Sequence, residues 1–105
     1  MAEIVWTEPA LAGLDAIADY IALDNRPAAR RWVHRVFEHI AKLTDRPGMG
    51  SKPIELADGR YRQIIEPPCR VIHRHDIASG VVFIVHVVRS ERLLPAPVEQ
   101  KRETD

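Results

Sequence analysis

The stretch RYRQIIEPPCRVIHRHD, residues 60–76, decides the fold. It holds two runs rich in β-branched and aromatic residues, 60–66 and 69–76, and these runs predict two strands. Residues 78–80 then turn the chain into a third run, 81–88, whose continuous apolar character predicts a strand covered on much of both faces. Three successive strands with short connections predict an antiparallel meander.

The connection at residues 66–68 determines which face of the sheet each side chain takes. Proline cannot adopt the positive φ that tight two-residue hairpin turns need, so we expect a three-residue loop. Such a loop pairs Arg62 with Ile72 and Ile64 with Arg70, which puts both arginines on one face. Because side chains alternate along a strand, a slip of one residue would send the two arginines to opposite faces.

Upstream of these strands, residues 3–6 predict a short strand followed by a helix hairpin. Thr7 has the side chain of a helix N-cap, and apolar residues then recur at three- and four-residue spacing to about Leu23. Pro27 marks the start of a second helix, which carries its own apolar stripe and stops near Thr44. Two helices joined by so short a loop form an antiparallel hairpin.

The order of these elements predicts the fold class. A chain of 105 residues has room for one domain. We expect an α+β fold in residues 1–94, with an N-terminal strand and an antiparallel helix hairpin packed on a small, mainly antiparallel sheet. Residues 95–105 contain two prolines and five charged residues, and we expect this C-terminal tail to be flexible.

The composition argues against several classes of function. With 15 basic and 15 acidic residues the net charge is +0, whereas nucleic-acid-binding domains usually carry a basic excess, so we expect no direct sequence-specific nucleic-acid binding. The apolar run 81–88 is too short to cross a bilayer, and the N-terminus lacks the regions of a signal peptide. The single cysteine, Cys69, fits a reducing compartment. We therefore expect a cytoplasmic protein that does not associate with membranes.

Three groups of residues follow one another along the chain. The first comprises Ile4, Trp6, Ala10, Leu14, Ile17, Tyr20, Ile21, Ala28 and Ala29. The second is the pair of runs 60–64 and 69–73, each with an arginine, and the third is His86 with Arg89. In order and spacing, from about residue 4 to residue 94, they resemble the RelE/ParE superfamily of type II toxin–antitoxin toxins, and its ParE branch in particular. Two positions depart from that pattern, because Cys69 and His73 stand where the second arginine strand often has tyrosines.

This resemblance implies a toxin that a cognate antitoxin neutralises. ParE-like members poison DNA gyrase, so it implies a gyrase inhibitor that acts by binding, needs neither catalysis nor a cofactor, and forms a hetero-oligomer with a ParD-like antitoxin. One alternative is a RelE-like ribosome-dependent mRNA endoribonuclease, and another is a non-toxic member of the same fold. The long hairpin favours the ParE branch. RelE-like cleavage commonly uses a late tyrosine, and no tyrosine follows Tyr61.

Arginines are the residues expected to contact the target. The five fixed donors of a guanidinium suit Arg62, Arg70 and Arg89 to a phosphate or a carboxylate. An arginine at the centre of a sheet is costly unless it is paired, so the other interpretation is that Arg62 and Arg70 pair with Glu55, Glu66 or Asp76 on the sheet surface. In the ribonuclease alternative, Arg62 and Arg70 would stabilise the scissile phosphate, and His73 would share in proton transfer.

Two aromatic residues lie beside the apolar stripes of the predicted hairpin. We expect Tyr20 and Trp32 to anchor the antitoxin, since large aromatic side chains often carry binding energy at interfaces. The other interpretation of Trp32 is that it belongs to the core or anchors the hairpin. No metal site is expected, because His73 and His75 have no cysteine or carboxylate at ligand spacing.

Overall fold

A computed structural model describes residues 1–56 and 59–94. Its elements, in chain order, are the strand β1 (Glu3–Trp6), the helices α1 (Glu8–Asp24) and α2 (Arg26–Ala41), a 3₁₀ turn (Lys42–Thr44), and the strands β2 (Tyr61–Glu66), β3 (Cys69–Asp76) and β4 (Val81–Arg89). The four strands form one sheet in the order β1-β4-β3-β2, with β1 parallel to β4 and the other pairs antiparallel. The α+β prediction is confirmed. The tail at 95–105 lies outside the described residues.

The helix hairpin forms because two side chains cap its helices. The Thr7 hydroxyl accepts a hydrogen bond from the backbone N–H of Ala10, 3.4 Å away, at the start of α1. A single extended residue, Asn25, separates the helices, and its side-chain oxygen accepts from the backbone N–H of Ala28 at 3.0 Å. Asn25 also donates its own backbone N–H to Ile21. The same residue therefore ends α1 and begins α2, which fixes the tight reversal.

Both helices pack on one face of the sheet and form the main core. Its buried members come from every helix and strand except β1, namely Ala10, Leu14, Ile17, Trp32, Val36, Ile40, Leu43, Ile64, Cys69, Val71, Val82, Ile84 and Val87. Trp32 is only 1% exposed, and its indole N–H donates to the backbone oxygen of Glu66 at 3.4 Å. Trp32 therefore belongs to the core and does not lie beside the apolar stripe of α2. Almost none of its surface is exposed for contact with a partner.

The turn between β2 and β3 differs from the expected one. Glu66 pairs with Cys69, so the loop has two residues and not three. These residues, Pro67 and Pro68, are joined by a cis peptide bond, and a turn of type VI with cis proline at its third position needs no positive φ. The register is consequently shifted by one residue from the predicted pairing, and Arg62 lies opposite His73.

This register sends the two strand arginines to opposite faces. Arg62 shares the helix-facing side with Ile64, whereas Arg70 lies opposite Ile65 on the other side. The expectation that both arginines share a face is therefore wrong. A one-residue difference in the turn is sufficient, because the side-chain period of a strand is two.

On the face away from the helices, an ion pair ties two chain segments to the sheet. Arg70 donates from both terminal nitrogens to the carboxylate of Glu55 and also bonds the side-chain oxygen of Gln63 at 3.0 Å. The same carboxylate accepts from the backbone N–H of Leu94 at 3.0 Å. The two charged side chains are each 7% exposed, and the bonds from Arg70 hold the pKa of Glu55 at about 2, well below its usual value.

Around this pair lies a second, smaller core. It consists of Leu56, Tyr61, Ile72 and Leu94, with Val85 and Val88 packed against it. Arg70 and Glu55 thus hold the chain segments before β2 and after β4 against the same face of the sheet. The alternative that a strand arginine pairs with Glu55 is confirmed for Arg70.

Replacement of Trp32 by alanine should remove much of the main core. We expect Trp32→Ala to lower the free energy of unfolding by about 3–5 kcal/mol, because it deletes a fully buried indole and leaves a cavity. Urea denaturation of the purified protein measures the change. Ile77→Ala is the control, since Ile77 is 82% exposed in a turn and its loss should cost within about 0.5 kcal/mol. Equal effects for the two variants would contradict the assignment of Trp32 to the core.

The Glu55–Arg70 pair should make stability depend on pH. The pKa of Glu55 in the folded chain, about 2, is lower than the usual 4.5. The carboxylate therefore contributes stability at pH values above the unfolded pKa, and that contribution is lost as the pH falls towards the folded value. We expect Glu55→Gln to lose about 3 kcal/mol at neutral pH, and the difference from the unchanged protein to shrink on acidification. Thermal midpoints measured for both proteins between neutral and acidic pH test the pair. A difference between the two midpoints that does not change with pH would contradict the prediction.

Candidate functional site

A β-bulge in β4 determines which way the end of that strand faces. His86 pairs with Ile72 of β3, and Ile84 pairs with His73, so Val85 is an extra residue without a partner in β3. A bulge of this kind shifts the alternation of side chains by one and redirects those that follow it. Even-numbered side chains before Val85 and odd-numbered side chains after it therefore point to the same face.

Arg89 faces the helices as a result of this shift. Before the bulge, Val82 and Ile84 are buried under the helices, and after it Val87 is. Arg89, two residues beyond Val87, lies opposite the buried Cys69 and so projects to the helix side at the end of the strand. Without the extra residue, strict alternation would send it to the opposite face.

Arg89 meets Tyr20 there, at the boundary between α1 and β4. The guanidinium carbon lies 4.8 Å from the centre of the Tyr20 ring, and Nε donates to the carboxylate of Glu91 at 2.9 Å. Interaction with Tyr20, and then with Glu91, raises the pKa of Arg89. Tyr20 is 60% exposed, so the stacked pair remains accessible from solvent.

The stacked pair borders a groove between α1 and β4. The lining residues of this Tyr20–Arg89 groove are Gly13, Ala16, Ile17, Tyr20, Val87, Val88, Arg89 and Arg92. Helix and strand approach closely because of Gly13, where a Cβ would lie 2.3 Å from the backbone oxygen of Val87. An apolar floor with two arginines at its border suits a segment that offers an apolar side chain beside a carboxylate or phosphate.

The other predicted site residues lie elsewhere. Arg62 is half-buried and donates from one terminal nitrogen to the backbone oxygens of Gly59 and Tyr61, at 3.0 and 3.1 Å. Arg70 is held by Glu55 on the opposite face. The set expected for catalysis, Arg62, Arg70 and His73, therefore does not converge on one open site.

His73 is part of the interior. It is 0% exposed, and its Nε2 lies 2.8 Å from the backbone oxygen of Met49. Burial lowers the pKa of His73, with the positive charge of Arg62 contributing in the same direction. Cys69 is also buried, and burial raises the pKa of its thiol to about 12, so it stays protonated.

Tyr20 and Arg89 are separate candidates in the sequence, and no sequence signal shows that their side chains meet. The partners Glu91 and Arg92 and the role of Gly13 were also missed. The only signal for Gly13 was a glycine within a helical pattern, which often has a packing reason. Over residues 1–56 and 59–94, no group of three or more potential metal ligands occurs, and no helix is long and apolar enough to span a membrane.

Comparisons with known proteins agree with this architecture. The family model described as the ParE toxin of type II toxin-antitoxin system, parDE, matches residues 4–94. A relative named Toxin RelE2, from Caulobacter vibrioides, is 38% identical over 93 residues, which are 89% of this chain and 100% of the relative. A structure titled chromosomal ParDE TA system from P. aeruginosa matches with a TM-score of 0.70 and 25% identity, over 87% of this chain and 98% of that one. The chain therefore belongs to the ParE toxin family of the RelE/ParE superfamily, and it is the toxin of a type II toxin–antitoxin system.

Proposed function

We propose that this toxin inhibits DNA gyrase and that a ParD-like antitoxin neutralises it by covering the Tyr20–Arg89 groove. The observation that carries the proposal is the stacking of Tyr20 and Arg89 at 4.8 Å on the border of that groove. One of these residues was expected to bind the antitoxin and the other the target. Their contact supports a single surface that serves both, so the bound antitoxin excludes the target.

The chemistry of the groove indicates what its partners offer. Its apolar floor gains free energy when an apolar side chain covers it. The Arg89 side chain is 35% exposed, and its planar fork can hold a carboxylate with two parallel hydrogen bonds. An antitoxin segment that combines an apolar anchor with an acidic residue satisfies both requirements. Since gyrase acts on DNA in the cytoplasm, the proposal also requires a cytoplasmic toxin.

A second candidate function is ribosome-dependent cleavage of mRNA. The name of the Caulobacter relative, Toxin RelE2, favours it. The residues that the alternative requires weigh against it, because His73 is buried with a lowered pKa and Arg70 is paired with Glu55. A general acid or base must reach the reacting atoms and have a pKa near the working pH.

Expression without antitoxin separates the two functions. We expect the toxin, induced alone in a bacterial host, to halt replication, cause filamentation and trigger the DNA-damage response. The purified toxin should also inhibit supercoiling by purified gyrase. Rapid arrest of translation with cleaved mRNA, and no DNA-damage signal, would support the ribonuclease and overturn the proposal. Absence of any growth defect would identify a non-toxic member of the family.

Variants at the groove test the shared surface. Tyr20→Ala and Arg89→Ala should change the free energy of unfolding by about 0.5 kcal/mol or less, because both side chains project from the surface. Each should weaken antitoxin binding by about 2 kcal/mol and also reduce growth inhibition. Arg89→Lys should restore binding only in part, since lysine offers a point charge and no planar fork.

Arg46→Ala is the matched control for these variants. Arg46 is an exposed arginine that does not line the groove, so its loss should leave stability, antitoxin affinity and growth inhibition unchanged. Calorimetry gives the affinities, and growth curves give the toxicity. If the groove variants lose antitoxin binding but keep full toxicity, the two partners use different surfaces and the proposed occlusion is wrong.

A further inference from the structure

Charges on the helix hairpin are separated by helix. The carboxylates of α1 are Glu8, Asp15, Asp19 and Asp24, and α1 has no basic residue. The arginines of α2 are Arg26, Arg30, Arg31 and Arg35, against a single carboxylate, Glu38. The chain as a whole has a net charge of +0, so this separation is local and not a consequence of composition.

The charges at the tip of the hairpin oppose the helix dipoles. Asp24 is the last residue of α1 and Arg26 is the first residue of α2. A helix dipole favours cations at the C-terminus and anions at the N-terminus, so both residues have the unfavourable sign. The stability of the isolated helices therefore does not explain them. Residues that oppose the stability of their own helix are expected at surfaces that have a function.

Arg35 of α2 pairs with Glu66, but three other charges of the hairpin have no opposite charge bound to them among the described residues. Asp19, Arg26 and Arg30 line the same depression on the outer side of the hairpin, yet none of them forms an ion pair with another residue in the part of the chain that the structure describes. All three side chains are exposed. The two helices thus present an acidic border and a basic border to an outside partner.

Between these borders lies an apolar floor. The lining residues of this hairpin groove are Ala18, Asp19, Ala22, Arg26, Ala29, Arg30, Val33 and His34. Leu23, one helical turn after Asp19, is 85% exposed, so an uncovered apolar side chain extends the floor beyond the acidic border. An occupant must bring a basic edge to α1, an acidic edge to α2 and small apolar contacts in between.

We propose that the hairpin groove is the contact surface of a homodimer. A two-fold axis that runs along the groove, parallel to the two helices, brings the acidic border of one copy against the basic border of the other, and does so twice, since such an interface is isologous. A second copy therefore supplies both required edges. Two chains with a net charge of +0 also approach each other without overall repulsion.

This dimer goes beyond the proposed inhibition of gyrase and does not depend on it. No residue lines both the hairpin groove and the Tyr20–Arg89 groove. Self-association and partner binding therefore use different side chains, and each can fail without the other.

Sedimentation equilibrium of the purified toxin tests the dimer. We expect a monomer–dimer equilibrium at low salt, with a dissociation constant that rises as salt screens the charge pairs. Asp19→Arg and Arg30→Asp should each weaken the dimer about tenfold or more, because each variant sets like charges against each other. An equimolar mixture of the two variants should recover the dimer, since every pair in the heterodimer again joins opposite charges. The double variant Asp19→Arg/Arg30→Asp should recover it as well.

The control is Lys52→Asp, a charge reversal at an exposed residue that lines neither groove, and it should sediment like the unchanged toxin. Circular dichroism verifies that each variant is folded. If a charge-reversal variant does not fold, the neutral variant at the same position, Asp19→Asn or Arg30→Gln, replaces it. An unchanged toxin that stays monomeric at all concentrations would overturn the proposal, and the groove would then be left to another partner. Variants that dimerise as strongly as the unchanged toxin, or that fail to dimerise when mixed, would overturn it equally.

Discussion

One extra residue in β4 determines how the two layers of this toxin meet. β4 pairs with β1 on one side and β3 on the other, and α1 packs across it. The bulge at Val85 lets the strand bury Val82 and Ile84 before it and Val87 after it under the same helices. Arg89 then projects beside α1 and not on the far face. The accessible cation of the candidate site is therefore a consequence of strand geometry.

The cost of burying charge explains why the strand arginines have different roles. Arg70 lies at 6% exposure, where an unpaired guanidinium would be very unfavourable. Glu55 and Gln63 accept hydrogen bonds from its terminal nitrogens, and the same carboxylate binds the backbone of Leu94. Removal of either charge would leave the other buried and unpaired. An arginine committed in this way stabilises the fold, so the proposed contact with a target is assigned to Arg89 at the end of β4.

Individual residues show which parts of the fold could be predicted from the sequence and which could not. Local signals predicted the hairpin, because the cap at Thr7 and the apolar periodicity act over a few residues. Non-local geometry escaped prediction. The turn at Pro67–Pro68 shifted the register by one, and no sequence signal marked Val85 as the bulge. Tyr20 and Arg89 were predicted one by one as candidates for different partners, yet the bulge and the close approach at Gly13 bring them together.

The groove that results is formed before any partner arrives. Tyr20 is held on a capped helix, and Arg89 is held at a strand end by the ring of Tyr20 and the carboxylate of Glu91. A surface whose side chains are already oriented loses little conformational entropy on binding, so that loss falls on the partner. If an antitoxin segment orders on the groove, as proposed, it must gain enough from burial and from Arg89 to offset its own ordering. Antitoxin affinity should then be more sensitive to the groove residues than the stability of the toxin is, since the fold is held by Trp32 and the Arg70–Glu55 pair.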